Sequence, residues 1–373
     1  MRNAIGIIFA NNGSDNMDGL ALNRPIAAVP FGGRYRILDF ALSSMVNSGI
    51  STIGLVTPHQ YRPLLDHLGA GKDWFLERKN GGMFILPGVM HGLSGDNHTF
   101  CIKDLQHNLE YLQKDYSDNV VISSGNQIFN MNFMEALEFH KDNQADATLI
   151  YKDCNNFGDS IHEKLLEINE DQKVSNIKVQ SDLENTDPSN HHFADMLIIR
   201  RELLLNIIER YSSLGCLDLI DILTTNLGGL KIYGTPTYSI YWPIRTVKDY
   251  FHRSMDLLDC EVRQKLWLGE DRIHTKIVDN PPTRYTSQAK VSNSLIASGC
   301  TIAGEVSNSI IFRGVIVEQG CRIKNSIIMP KCHIGENAQT KYAILDKYVT
   351  VNGDNVLKGS LNNPIVVFKS TVI

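Results

Sequence analysis

The residues able to do chemistry in this chain sit in two loops and carry little charge. One loop follows the apolar run Ile5–Phe9 and reads Ala10-Asn11-Asn12-Gly13-Ser14-Asp15-Asn16-Met17. The other, Ser124-Gly125-Asn126-Gln127, follows the run Asn119–Ser123. Such loops hold anions when glycines let backbone N–H groups close on the ligand. The first has one glycine among amides and an acid, and the second offers amides with no carboxylate. The seven cysteines (101, 154, 216, 260, 300, 321 and 332) contain no Cys-x-x-Cys pair. His191-His192 lies in a polar segment without further histidines nearby, so no metal is assigned to it.

Positioning these loops falls to alternating strands and helices. Ile5–Phe9, Thr52–Val56, Asn119–Ser123, Ala147–Tyr151 and Asp195–Ile199 read as strands. Phe133–Asp142, Arg201–Tyr211 and Val247–Leu258 read as amphipathic helices, and Leu38–Asn47 as a helix ended by Gly49. This order predicts a mostly parallel α/β sheet covered on both faces. Ligands bind such sheets beyond the carboxyl ends of the strands, here at the loops after Phe9 and after Ile122.

Near Pro281-Pro282 the pattern changes. Val291-Ser292-Asn293-Ser294-Leu295-Ile296, Val306-Ser307-Asn308-Ser309-Ile310-Ile311 and Ile323-Lys324-Asn325-Ser326-Ile327-Ile328 are three copies of one pattern, 15 and 17 residues apart. Val317, Ile323 and Met329 recur every six residues, and Ile334-Gly335-Glu336-Asn337-Ala338 has the form of a hexapeptide repeat. That period predicts a parallel β-helix, with a β-sandwich as the alternative. Solenoid ends need caps or partners, which makes this region a place for subunit contact. The expected division is 1–268 for the α/β domain and 269–373 for the β-helix, with a linker at about 269–285.

With 373 residues, 43% hydrophobic and 21% charged, the chain has the composition of a globular protein with room for two domains. A formal charge of −5 gives no general attraction to nucleic acid or to anionic lipid. No apolar run approaches a membrane span. Ile5–Phe9 reads as a buried first strand rather than a signal segment, and an odd cysteine count without metal spacing suggests free thiols in a reducing cytoplasm.

The stretch Arg24-Pro25-Ile26-Ala27-Ala28-Val29-Pro30-Phe31-Gly32-Gly33-Arg34-Tyr35-Arg36, continuing through Asp39-Phe40 to Asn47-Ser48-Gly49-Ile50, resembles the ADP-glucose pyrophosphorylases (glucose-1-phosphate adenylyltransferases). Gly81–Pro87, Met255–Leu258, Pro281-Pro282 and the repeat region extend the resemblance over nearly the whole chain, and the close match is to the GlgD-type regulatory subunits. The resemblance implies a doubly wound, Rossmann-like nucleotidyltransferase domain followed by a left-handed parallel β-helix.

Against that family, the chemistry is eroded at each station. The family's first loop, Ala-Gly-Gly-x-Gly-x-Arg-Leu, falls on Ala10–Met17, so three glycines become Asn11, Asn12 and Ser14, and the arginine becomes Asn16. A neutral Asn16 cannot stabilise a leaving pyrophosphate, a loss of about a hundredfold or more in rate. The alternative is a divergent loop that still binds nucleotide. The lysine of Arg-x-Lys-Pro becomes Ile26. Of the two aspartates that hold Mg²⁺ in the family, one becomes Asn126, and Pro243 or Ile244 takes the place of the other in Tyr241-Trp242-Pro243-Ile244. The sugar stations have no match at Phe100–Asp104, at Ile177–Ser181 or at Ala194-Asp195-Met196.

Arg24 and Arg36 survive where the family binds anionic sugar-phosphate effectors. They are either part of an effector pocket between the two domains or surface and interface arginines. The resemblance therefore implies a catalytically degenerate subunit with no cofactor of its own. Its partner would be a catalytic homologue that carries the Mg²⁺, in a hetero-oligomer expected to be a tetramer. Two alternatives stay open: an active adenylyltransferase with a rearranged metal site, and a stand-alone sugar-phosphate sensor or scaffold.

Overall fold

The structure, a computed structural model, describes residues 4–11, 15–88, 99–153, 164–179, 191–211, 213, 215, 217–267, 269 and 271–373. The side chains of residues 15 and 16 are outside that description. Internal packing divides the chain into two compact units, each assembled from separate stretches. One comprises Met1–Gly13, Phe40–Tyr241 and Asp271–His274; the other comprises Ser14–Asp39, Trp242–Glu270 and Thr275–Ile373.

In the first unit, nine strands among the described residues make one sheet. They are β1 (Ala4–Phe9), β2 (Thr52–Thr57), β3 (Gly82–Pro87), β4 (Asn119–Ser124), β5 (Ala147–Asp153), β6 (Lys164–Ile168), β7 (Val174–Val179), β8 (His191–Arg200) and β9 (Ile232–Pro236). The order is β7-β6-β8-β4-β1-β2-β3, with β5 pairing both β8 and β9. β4, β1, β2 and β3 run parallel, with Gly6 opposite Val121 on one side and Ile53 on the other. β8 runs antiparallel to β4 and β5. All of β1 and β2 is buried, as their continuous apolar runs require of strands covered on both faces. The helix Leu38–Asn47 ends where Gly49, at φ 74°, takes a left-handed conformation and donates to Val46 O.

Short loops follow from local chemistry. Asp218 caps the helix Leu219–Thr225 by accepting from Ile220 N, and it also accepts from Thr99 N, Phe100 N and Lys164 Nζ. A single buried carboxylate thus joins three segments far apart in sequence. The register of β8 against β5 shifts between Phe193 and Leu197, where Asp195 sits at φ 48°.

The second unit carries the left-handed β-helix: three five-stranded parallel sheets that start at Arg284–Tyr285, Lys290–Ser292 and Leu295–Ile296. The repeated Asn-Ser pairs turn its corners. Asn293, Asn308 and Asn325 have φ 39°, 46° and 47°, a region asparagine tolerates better than most residues. The serine after each asparagine links coil to coil, as Ser309 N donates to Ser294 Oγ and Ser326 N to Ser309 Oγ. Inward positions such as Ile302, Val317, Ile334 and Val351 are fully buried and form its core. In the same unit the helix Val247–Asp256 begins with a reciprocal cap between Thr246 and Asp249, and Tyr250 OH donates to Pro30 O at 2.6 Å.

Candidate functional site

The carboxyl edge of the parallel strands brings the two sequence-defined loops together. Ala10 N donates to Val56 O at 2.9 Å and Gly125 N to Phe9 O at 2.8 Å, so the ends of β1, β2 and β4 lie side by side. Gly125 is needed there, since a Cβ would stand 3.2 Å from Phe9 O and 3.4 Å from Ala10 Cα. This is the crevice the topology predicts for a ligand.

What fills the crevice is polar but poorly suited to phosphate. Half-buried Asn11 donates from Nδ2 to Asp104 Oδ2 at 2.5 Å, and Asp104 is fully buried in the first turn of the helix Ile102–His107. Gly88 closes over the same pair, because a Cβ there would meet Thr57 O at 2.8 Å, Asn11 Nδ2 at 3.0 Å and Asp104 Oδ1 at 3.3 Å. Asp104 is therefore already engaged by a side chain of the first loop. Its negative charge opposes an incoming phosphate.

On the other strand end, Asn126 is 9% exposed and its N–H donates to Ser124 Oγ at 3.2 Å. Gln127 beside it is buried and donates from Nε2 to Ser123 Oγ. Asn12 and Ser14 lie outside the described residues, as does the side chain of Asn16. In the second unit Ile26 is buried in a turn, Ile244 is fully buried and Pro243 half-buried. None of these three can present an oxygen ligand from its side chain.

A hard dication takes oxygen ligands, preferably charged ones. The side chain at 126 is an amide, and those at 243 and 244 are aliphatic. Among the described residues no group of three or more His, Cys, Asp or Glu is placed to hold a metal ion.

A second polar cluster lies wholly within the β-helix unit. Arg24 is buried; its Nε donates to Leu20 O at 2.8 Å and its Nη2 pairs with Asp346 Oδ1 at 2.9 Å, with side-chain exposures of 8% and 3%. Asp346 Oδ1 also accepts from Lys347 N at 2.7 Å. The Lys347 ammonium is pushed down to about 7, first by burial and then by the positive charges of Arg36 and Arg24, with Asp346 acting in the opposite sense and Lys369 adding to the depression. Arg36, Arg24 and Lys369 thus bear on Lys347, opposed by the Asp346 carboxylate. Arg36 is half-buried, and its N–H donates to Asp39 Oδ2 at 3.0 Å. Asp346, Lys347 and Lys369 were invisible as site residues in the sequence, since the repeat motif marks them only as part of a scaffold.

The fold and these clusters define a class, a nucleotidyltransferase body carrying a hexapeptide β-helix. Residues 6–157 match the nucleotidyl transferase family and residues 275–359 the GlmU-like, C-terminal hexapeptide family. The chain is 35% identical over 368 residues to the glycogen biosynthesis protein GlgD of Geobacillus stearothermophilus, covering 99% of this chain and 96% of that protein. It is 29% identical to the glucose-1-phosphate adenylyltransferase of Bacillus cytotoxicus over 374 residues, 98% of this chain and 97% of that one. The same identity holds over 371 residues with the enzyme of Bacillus anthracis, 97% of this chain and 96% of the relative. The chain belongs to the ADP-glucose pyrophosphorylase (glucose-1-phosphate adenylyltransferase) family and is of the GlgD type.

No helix among the described residues is long and apolar enough to cross a membrane. Cys260, Cys300, Cys321 and Cys332 are free thiols.

Proposed function

We propose that this chain is a regulatory, catalytically degenerate subunit of glucose-1-phosphate adenylyltransferase, acting in the synthesis of ADP-glucose for glycogen in the cytoplasm. It is inactive or weakly active alone and modulates a catalytic homologue within a hetero-oligomer, expected to be a tetramer. The observation that carries this reading is the state of the crevice. Asn11 is bonded to a buried Asp104 where a phosphate-binding loop would open, and Asn126 offers an amide where a metal would need charge. Transfer to a phosphate oxygen depends on positive charge placed in advance around the developing anion, and neither Asn11 nor Asn126 carries any.

The cluster of Arg24, Arg36, Lys347 and Lys369 supports a regulatory role for an anionic sugar-phosphate effector. An anion there offsets the burial and the neighbouring positive charges that together depress Lys347. Arg24, buried against Asp346, fixes the geometry from behind, while Arg36, Lys347 and the exposed Lys369 are the groups an effector would reach.

Pyrophosphorolysis of ADP-glucose by the isolated chain tests the first part, with turnover at or near background expected. Adding the chain to its catalytic homologue is expected to change turnover or effector sensitivity. High activity alone, at the level of the homologue, would refute the proposal.

A further inference from the structure

The carboxyl ends of β5 and β9 meet the amino end of β8 at one corner of the first unit's sheet. There Tyr151 stands opposite Pro236 on one side and Phe193 on the other, and Asp153 stands opposite His191. Alternate residues of a strand point to the same face, so Tyr151 and Asp153 share one. On that face His191 Nδ1 lies 2.6 Å from Asp153 Oδ1, and its ring centroid is 4.5 Å from that of Tyr151. Gly234 leaves room for the Tyr151 ring, since a Cβ there would meet Tyr151 Cε1 at 3.2 Å.

Beyond β9 the chain turns through Thr237–Ser239 and presents Tyr238, which is 87% exposed. Lys152 Nζ donates to Thr237 O at 3.1 Å and to Ser239 O at 2.9 Å, the carbonyls on either side of Tyr238. Thr237 N in turn donates to Tyr151 O at 2.8 Å. Fixing the backbone beneath an exposed ring in advance lowers the entropy cost of binding to that ring. Burial raises the Tyr151 hydroxyl, and Asp153 and Tyr238 raise it further, so both stand beside it. Tyr151 is 9% exposed, yet neither its hydroxyl nor that of Tyr238 has a hydrogen-bond partner among the described residues. Asp153 Oδ2 is likewise open among them.

These groups select a class of ligand. Lys152 is spent on two carbonyls and an open carboxylate stands at the corner, which disfavours a phosphate. What the corner offers is a flat apolar ring face beside oxygens that can donate and accept. A pyranose has the matching sides: C–H groups that lie against an aromatic ring, and hydroxyls around the edge that bond to such oxygens. Because Tyr238 stands on open surface, sugar units on either side of a stacked one can run on into solvent, which suits a chain rather than a single sugar.

We propose that Tyr238, Tyr151 and Asp153 form a binding site for an uncharged oligosaccharide. One sugar ring stacks on Tyr238, its hydroxyls bond to the Asp153 carboxylate and the two tyrosine hydroxyls, and His191 holds Asp153 in place. The site uses neither Asn11 nor Asn126 of the crevice, and it does not depend on the subunit reading.

The test uses the full-length chain in native gels cast with soluble glycogen, together with calorimetric titration by maltoheptaose. Glycogen should retard the wild type, and the Kd for maltoheptaose should hold within about twofold over about a tenfold change in salt, because the ligand carries no charge to screen. Tyr238→Ala should raise that Kd about thirtyfold, and Tyr238→Phe, which keeps the ring and loses the hydroxyl, about fivefold. Asp153→Asn should raise it about tenfold, since a charged acceptor becomes a neutral one. Thermal melts of these variants should match the wild type, because both side chains are largely exposed to solvent.

The proposal fails if glycogen, dextran and xylan all leave the wild type unretarded and maltoheptaose does not bind. It fails equally if sugar binds but Tyr238→Ala and Asp153→Asn bind it as the wild type does, since the site then lies elsewhere. Binding of glucose 1-phosphate or adenosine that Tyr238→Ala abolishes, without binding of maltoheptaose, would show that the ligand class is wrong.

Discussion

Replacing Arg24 by methionine probes whether the cluster around Asp346 is built as described. The change removes the partner of a carboxylate that is 3% exposed, leaving Asp346 with the N–H of Lys347 at 2.7 Å, and it takes the Nε donor from Leu20 O. Breaking a buried pair from one side costs about 3–5 kcal/mol, and the lost hydrogen bond adds about 1 kcal/mol. Part of this is recovered because Lys347, no longer repelled by Arg24, takes a proton and faces Asp346. A net loss of about 3 kcal/mol is expected on these terms. With two packed units, bulk denaturation need not be two-state, so the assay is local. The amides of Met329 and Asp346, which donate to Leu345 O and Val367 O, report opening of the coils beside the pair. Their hydrogen exchange should accelerate by roughly a hundredfold, since about 1.4 kcal/mol is tenfold. Adding Asp346→Leu should restore much of the protection, because no charge is then left uncompensated. Exchange unchanged within about threefold in the single variant would refute the structural role assigned to Arg24.

Three further outcomes follow from the same geometry. Asn126→Asp alone should not yield measurable ADP-glucose synthesis, since Ile26, Ile244 and the Asn11–Asp104 pair remain; substantial activity would count against loss at several stations. Binding of a sugar bisphosphate at the Arg36–Lys347 cluster should take up protons at and above pH 7, because the bound anion raises the Lys347 ammonium from about 7, and affinity should rise as pH falls. Calorimetry in buffers of different ionisation enthalpy checks this, and zero proton uptake contradicts it. His140, 2% exposed, is pushed down to about 4 chiefly by burial, and its Nδ1 lies 2.8 Å from Thr148 Oγ1. Its folded value lies below the unfolded one, so its neutral form is preferred in the fold. The stability this leaves intact above pH 6.5 is lost as pH falls towards 4, by up to about 3 kcal/mol. His140→Gln should flatten the acid side of the stability curve, as followed by thermal melting.

Much of the scaffold could be read from residue order. The apolar runs at Ile5–Phe9, Thr52–Val56 and Asn119–Ser123 became β1, β2 and β4, because a strand covered on both faces has to be apolar throughout. The Asn-Ser repeat predicted the coils because each pair fulfils the same local duty, a left-handed turn and a serine link to the next coil. Less legible were the half-exposed pair β6 and β7, whose mixed composition lacks a clear period, and β3, which had been marked by its motif alone. The engagement of Asn11 with Asp104 spans 93 positions, and no local pattern signals a contact of that range.

What the sequence determined by itself was the kind of architecture and the absence of charge at the stations where nucleotidyl transfer needs it, since periodicity and residue type are local properties. Tertiary structure alone decided where the surviving charges act. Arg24 and Asp346 stand 322 positions apart and meet as a buried pair, which turns an arginine of the recognised motif into a fixed support and leaves Lys347 depressed beside it. The reason is that burial and Coulomb interactions depend on distances in space, and folding brings together what the chain keeps apart.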